Sequence, residues 1–250
     1  MTDKNIRNFK MVVEYDGSAY RGWQRQKNCV SIQQVLEEAI KKITGQKVSV
    51  IGSGRTDAGV HALNQVASFR CATKLPVNSL YRGVNSVLPE DIVVKDMEEV
   101  PFEFHAQRDV KSKIYVYKIC NQKLRPALGR NYSWFVRYDL DLQKMRQAAK
   151  KLIGTHDFSC FCATGTDVLD RVRTIKNIEI KNEQEGNIEI IVEAKGFLNY
   201  MVRNIIGTLV EVASGKRKPE EMKKLIDSRD RKIAGATAPA HGLFLMEVKY

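Results

Sequence analysis

The sequence predicts an α/β protein of two related halves, on three observations. An order of strand, helix, strand, strand runs from Met11 to Phe69 and returns from Lys113 to Ala194. In each round the helix is amphipathic and carries its own start and stop residues. At 250 residues, 43% of them hydrophobic, the chain can fill a sizeable core without disulfides or metals. The break is placed at 104/105, giving halves 1–104 and 105–250 with a cleft between them, although no residue-level repeat accompanies the repeated order.

In the first half, Met11 to Tyr15 reads as a strand and Asp16 to Val30 as a loop carrying Tyr20, Arg21, Trp23, Arg25 and Lys27. Aromatic and basic residues interleaved in this way can stack bases and grip phosphates, while Trp23 equally suits a core anchor. Ser31 and Gln34 form a capping box. Ile32, Val35, Leu36, Ala39, Ile40 and Ile43 then mark one helical face until Gly45 stops it. Strands at Val48 to Ile51 and Val66 to Phe69 follow, then a helix from Val77 to Val87 and a strand at Ile92 to Lys95, with the half closing near Pro101.

The second half opens with the strand Lys113 to Cys120, which puts Tyr115 and Tyr117 on one face. Asp141 caps a helix that turns Leu142, Met145, Ala148, Ala149 and Leu152 inward and ends at Gly154. Strands follow near Val172 to Ile180 and Ile188 to Ala194. The helix Leu198 to Ala213 has an apolar stripe of Leu198, Val202, Ile205, Leu209 and Val212, interrupted by Arg203. An unpaired buried charge is strongly destabilising, so Arg203 needs a carboxylate, a phosphate or solvent, and Asn199, Tyr200 and Gly207 give it a smaller, more polar face. A short helix from Pro219, the run Arg229-Asp230-Arg231-Lys232, a Gly/Ala-rich loop and a strand from Leu243 to Tyr250 complete the chain.

Charge narrows the function. Lys and Arg number 41 against 29 acids, a net charge of +12, which favours an anionic partner and places nucleic acid first. The five cysteines, Cys29, Cys71, Cys120, Cys160 and Cys162, are odd in number and scattered, which suits reduced thiols in the cytoplasm. Cys160 and Cys162 with His156 nearby lack a second ligand cluster, so they read as buried small side chains and not as a zinc site. No signal-peptide core and no charge-free window of membrane-spanning length occur in the sequence as given, which predicts no membrane partner.

The chemistry concentrates in Gly54-Arg55-Thr56-Asp57-Ala58-Gly59-Val60-His61-Ala62, a glycine-bounded loop between two strands with a carboxylate two residues from a guanidinium. Gly52, Gly54 and Gly59 allow positive φ and close approach to the backbone. The loop reads either as a reactive site or as a turn in which Asp57 caps its own backbone.

These residues carry a resemblance. Glu14 to Gln26 (EYDGSAYRGWQRQ), Gly54 to Ala62 (GRTDAGVHA), Lys113 to Tyr117 (KIYVY), Met201 to Leu209 (MVRNIIGTL) and Ala236 to Leu245 (ATAPAHGLFL) are similar, in that order and across essentially the full length, to the tRNA pseudouridine synthase A (TruA) family. The resemblance implies the pseudouridine synthase fold, with a mixed, mainly antiparallel sheet and a basic central cleft. It also implies isomerisation of uridine to pseudouridine at tRNA positions 38, 39 and 40 of the anticodon arm, a homodimer, and no metal or organic cofactor. Carried over residue by residue, Asp57 is the catalytic aspartate, Arg203 its partner, Arg55 the residue that intrudes where the base leaves the stack, and Tyr115 the ring packed on the uracil. Leu245 joins Tyr115 as a wall. Two departures stand out: Gln107, followed by Arg108, replaces an arginine of the family pattern, and Asn199 and Tyr200 fill a variable pair.

Pseudouridylation breaks the N1–C1′ bond, turns the uracil and joins C5 to C1′, so one ionised carboxylate suits it. A glycoside hydrolase would want an acid and a base. Asp57 could attack C1′, attack C6 or form a glycal, and the sequence does not choose among these routes. Two other functions compete with the isomerase. A non-catalytic RNA-binding protein would use the same basic surface and ignore Asp57. A nucleotide-binding enzyme would use the glycines as a phosphate cradle, but no Gly-Lys-Ser/Thr follows and Asp57 would repel the phosphate.

Overall fold

The structure, a computed structural model, describes residues 6–166, 168–183 and 186–250. The chain divides into two compact units, Met1–Lys111 with Leu245–Tyr250, and Ser112–Phe244. It is an α/β protein whose strands pair mainly antiparallel.

In the first unit, β1 (Arg7–Tyr15) lies between β3 (His61–Cys71) and β4 (Ile92–Val100), antiparallel to both, while the short β2 (Ile51–Gly52) pairs with β3. Alternate side chains of β1, Phe9, Met11 and Val13, are fully buried, and Phe9 stacks on Phe69 with centroids 5.2 Å apart. Two helices, α1 (Ile32–Thr44) and α2 (Val77–Asn85), pack on each other and bury Ile32, Leu36 and Ile40 of α1 and Leu80 and Val84 of α2. The Ser31 side chain accepts from Gln34 N–H, and Gly45 ends α1 in the left-handed region at φ 73° with its N–H on Lys41 O. The Gln34 amide donates to Glu38 at 2.9 Å, which departs from the reciprocal arm of a capping box.

The strand expected at Val48 to Ile51 shrinks to Ile51–Gly52 for a physical reason. Both backbone groups of Val50 are taken by α1: its N–H donates to Glu37 Oε1 (3.1 Å) and its C=O accepts from the Gln33 amide (3.1 Å). The last strand, β10 (Leu243–Lys249), runs beside β3. Its end is held by Asn64 donating to Met246 O (2.8 Å), by Lys111 N–H on Lys249 O (2.8 Å) and by the Tyr250 hydroxyl on Ala106 O (2.6 Å).

In the second unit, β5 (Ser112–Asn121), β9 (Asn187–Ala194), β8 (Val172–Asn182) and β7 (Gly154–Asp157) pair antiparallel in that order, and β6 (Trp134–Val136) adds to β5 in parallel. Helix α3 (Leu142–Lys150) starts at Asp141, whose carboxylate accepts from Gln143 and Lys144 N–H, both at 3.0 Å. It stops at Lys150, and Gly154 opens β7 instead of closing the helix. Helix α4 (Met201–Ala213) is buried along most of its length, packs on α3 and forms the middle of this unit, while α5 (Glu221–Ser228) contacts β7. It begins three residues later than its hydrophobic pattern, because Tyr200 sits in the left-handed region at φ 61° and cannot extend the helix backwards. Among the described residues, no helix is long and apolar enough to cross a membrane.

Candidate active site

The Asp57 loop is held by the loop that follows β1. Trp23 N–H donates to Thr56 O (3.1 Å), Gly59 N–H donates to Tyr20 O (3.4 Å), and the buried Tyr15 hydroxyl shares a 2.8 Å hydrogen bond with Thr56 Oγ1. Two glycines make this approach possible. A Cβ on Gly22 would fall 2.5 Å from Thr56 O, and one on Gly52 would fall 2.5 Å from the Trp23 ring. From the other side, Ser53 N–H donates to Val66 O (2.7 Å), Ser53 Oγ donates to Gln65 Oε1 (2.6 Å), and the Gln65 amide donates to Gly54 O (3.0 Å). Burial pushes the Tyr15 phenol up to about 12, against the opposing pull of its bond to Thr56, so it remains a neutral strut at ordinary pH.

Fixed in this way, Thr56 is buried, Asp57 is half-buried, and Arg55 is exposed with its Nε donating to Gln24 Oε1 at 3.1 Å. The turn after Asp57 is closed by main chain, Val60 N–H to Asp57 O at 3.1 Å. In the preceding loop, Trp23 and Tyr20 are buried and Arg21, Arg25 and Lys27 are exposed, so the aromatic residues brace the Asp57 loop and the cations face solvent. The Tyr20 hydroxyl is committed to Asp91 Oδ1 at 2.6 Å.

In the second unit, β5 carries Lys113, Tyr115 and Tyr117 on one face, opposite Ala194, Val192 and Ile190 of β9. Tyr115 is buried and meets Phe197 edge-on with centroids 5.1 Å apart. Tyr117 is fully buried, donates to Pro239 O at 2.9 Å, and has its phenol pushed well up by burial. Lys113 was no candidate from sequence, yet burial pushes its ammonium down to about 8. The signal was present in the Lys-x-Tyr-x-Tyr alternation, which places it on the face of both tyrosines.

Arg203 lies on the first turn of α4, where its Nε donates to Ala238 O (2.8 Å) and its guanidinium rests 4.9 Å over the Tyr200 ring. Ala238 N–H returns a bond to Arg203 O at 3.1 Å, so the 234–239 segment and α4 hold each other. Leu245, in β10, is fully buried in the first unit. Cys160 and Cys162 are buried, and burial pushes the Cys160 thiol up to about 12, as suits packing groups. Asp57 and Arg55 therefore share one braced loop, and Tyr115 and Arg203 are carried by a strand and a helix of the other unit.

The family model described as tRNA pseudouridine synthase matches residues 11–109 and 148–250, and the chain belongs to that family of isomerases acting on uridine in RNA. Its relatives include a tRNA pseudouridine synthase A of Thermoanaerobacter sp. (strain X514), 50% identical over 98% of this chain and 100% of its own length. Another tRNA pseudouridine synthase A, from Caldicellulosiruptor bescii, is 45% identical over the same shares. A tRNA pseudouridine synthase A 2 of Clostridium perfringens is 48% identical, again over 98% of this chain and 100% of its own.

Proposed function

We propose that this chain converts uridine to pseudouridine at tRNA positions 38, 39 and 40, with Asp57 as the catalytic carboxylate. The observation that carries the assignment is the bracing of the Asp57 loop. Buried Thr56 and its bonds to Tyr15 and Trp23 fix the backbone on which a half-buried acid is presented. A carboxylate that must meet one ribose or ring carbon gains rate from such placement, because the geometry is set before substrate arrives.

The reaction conserves every atom. The N1–C1′ bond breaks, the uracil turns, C5 bonds to C1′, and the proton lost from C5 leaves to solvent as N1 gains one. No electron acceptor or energy carrier enters this balance. Arg203 is assigned as the partner of Asp57, favouring its ionised form. Arg55, exposed beside Asp57, takes the place vacated in the RNA stack, while Tyr115 walls the uracil ring during its rotation; Leu245, expected as a second wall, has no exposed surface and serves as a core residue instead. Extruding the base costs a few kcal/mol, offset by backbone contacts from a surface of net charge +12. The working form is a cytoplasmic homodimer, with the first half supplying the acid loop and the second supplying Tyr115 and Arg203.

Transcripts of the anticodon arm, tritiated at uridine C5 and carrying a single uridine at 38, 39 or 40, test the assignment. Release of tritium to water from all three is the expected result, and release from none would overturn it. Sedimentation at low concentration tests the dimer, and a stable monomer would contradict it.

A further inference from the structure

The second unit contains an open cavity of about 460 Å³ that the proposed chemistry does not use. Thr164, Tyr200, Arg231, Lys232, Gly235 and Thr237 line it, with Ala163, Asn204, Ala234 and Ala236, and none of these residues is acidic. The volume suits one nucleotide. Without a carboxylate, the cavity lacks the group that the rearrangement of uridine needs.

Its construction separates rigid frame from free contact groups. Arg231 is the frame: its guanidinium donates to Ala234 O (3.3 Å), Gly235 O (3.0 Å), Asn204 Oδ1 (2.9 Å) and Thr237 Oγ1 (3.0 Å). Thr237 donates in turn to Asn204 Oδ1 at 2.6 Å, and the fully buried Asn204 donates to Phe161 O at 2.8 Å. The contact groups are Lys232, which is exposed, and Tyr200, a residue 41% exposed. Tyr200 is held in the left-handed region at φ 61°, where a bulky side chain is strained, and Arg203 rests against the ring. Such strain persists where surroundings over-determine it, often at ligand clamps.

We propose that this cavity is a subsite for a second nucleotide of the RNA substrate, one other than the uridine being rearranged, with its base on the Tyr200 ring and its phosphate on Lys232. The inference rests on the reading of RNA as substrate. An aromatic platform beside a cation, over a floor that carries no acid, is the arrangement that takes a single-stranded nucleotide with little sequence preference. It also gives the Tyr200 departure from the family pattern a consequence, because this side chain sets how well the neighbouring nucleotide is held.

The test measures equilibrium binding of the tRNA anticodon arm by the full-length Asp57→Asn chain with a second substitution, alongside tritium release by the wild type. Tyr200→Gly is expected to weaken binding roughly tenfold, and Tyr200→Phe to stay within about twofold because stacking needs only the ring. The thermal midpoint of Tyr200→Gly should hold, since glycine takes the left-handed backbone without strain. Lys232→Gln is expected to weaken binding and to lower the slope of log K against log salt by about one unit. Binding unchanged in both Tyr200→Gly and Lys232→Gln would overturn the subsite. So would equal loss in Tyr200→Phe and Tyr200→Gly, or loss that only follows a fall in thermal midpoint. A wild type that binds tRNA but releases no tritium would remove the isomerase assignment and leave the subsite to stand on binding. A chain that does not bind tRNA would overturn both.

Discussion

Substituting Gly207 by alanine tests the support of Arg203 without touching Arg203 itself. A Cβ at this position of α4 would fall 1.7 Å from Ala236 O, so the 234–239 segment must retreat by more than an ångström. That retreat pulls on Ala238, which accepts from Arg203 Nε (2.8 Å) and donates to Arg203 O (3.1 Å). Overpacking costs about 1–3 kcal/mol, and losing the two bonds costs roughly 2–4 kcal/mol more, one of them being to a charged group. Alanine returns about 1 kcal/mol of helix propensity. With partial relaxation, the net expectation is a loss of about 2–4 kcal/mol, or roughly 5–15 °C in midpoint for a chain of this length. Urea and thermal unfolding read the stability, and tritium release from tRNA reads the displacement of Arg203. A Gly207→Ala chain as stable as wild type with full activity would show that the 234–239 segment does not hold Arg203 in place.

The remaining predictions concern the acid loop, its assigned partner and a half-buried cation. Gly22→Ala, at φ 86° and with Thr56 O 2.5 Å from the new Cβ, should displace the Asp57 loop and abolish tritium release in a chain that still folds; retained activity would count against the bracing. Arg203→Ala should weaken turnover more than tRNA binding, and equal losses would reduce Arg203 to a phosphate contact. The Lys113 ammonium has an ordinary value of 10.5 and is pushed down to about 8 by burial, so between these pH values the unfolded chain holds more protons and stability rises with pH. Lys113→Met should therefore be more stable than wild type at pH 7, with the gap in urea midpoint closing as pH climbs from 8 toward 10.5; a constant gap would be inconsistent with a desolvated ammonium.

Legibility in the sequence followed the range of the interactions. Helix α1 was readable end to end because Ser31, its apolar face and Gly45 are all local signals. The Val48 to Ile51 strand was overextended because its β-branched pattern does not reveal that Glu37 and Gln33 claim the backbone of Val50. The start of α4 was set too early because nothing local marks Tyr200 as left-handed. The short strands β6 and β7 went unread, being three and four residues long and lacking a full period of alternation. Within the candidate site, Asp57 and Arg55 were legible as neighbours in one glycine-bounded motif. The struts that give the acid its place, Tyr15, Trp23 and Gln65, were not, because each is defined by a partner up to tens of residues away. Lys232 and Arg231 looked alike as members of a basic run, and only the structure separates the frame from the exposed charge.

The most direct measurement compares wild type and Asp57→Asn on the same tRNA tritiated at uridine C5, reading binding and release of label together under single-turnover conditions. Both chains are expected to bind the tRNA with similar affinity, and only the wild type to release tritium. Release by Asp57→Asn at the wild-type rate would contradict the role of Asp57, because the braced loop would then be presenting a carboxylate that the reaction does not need.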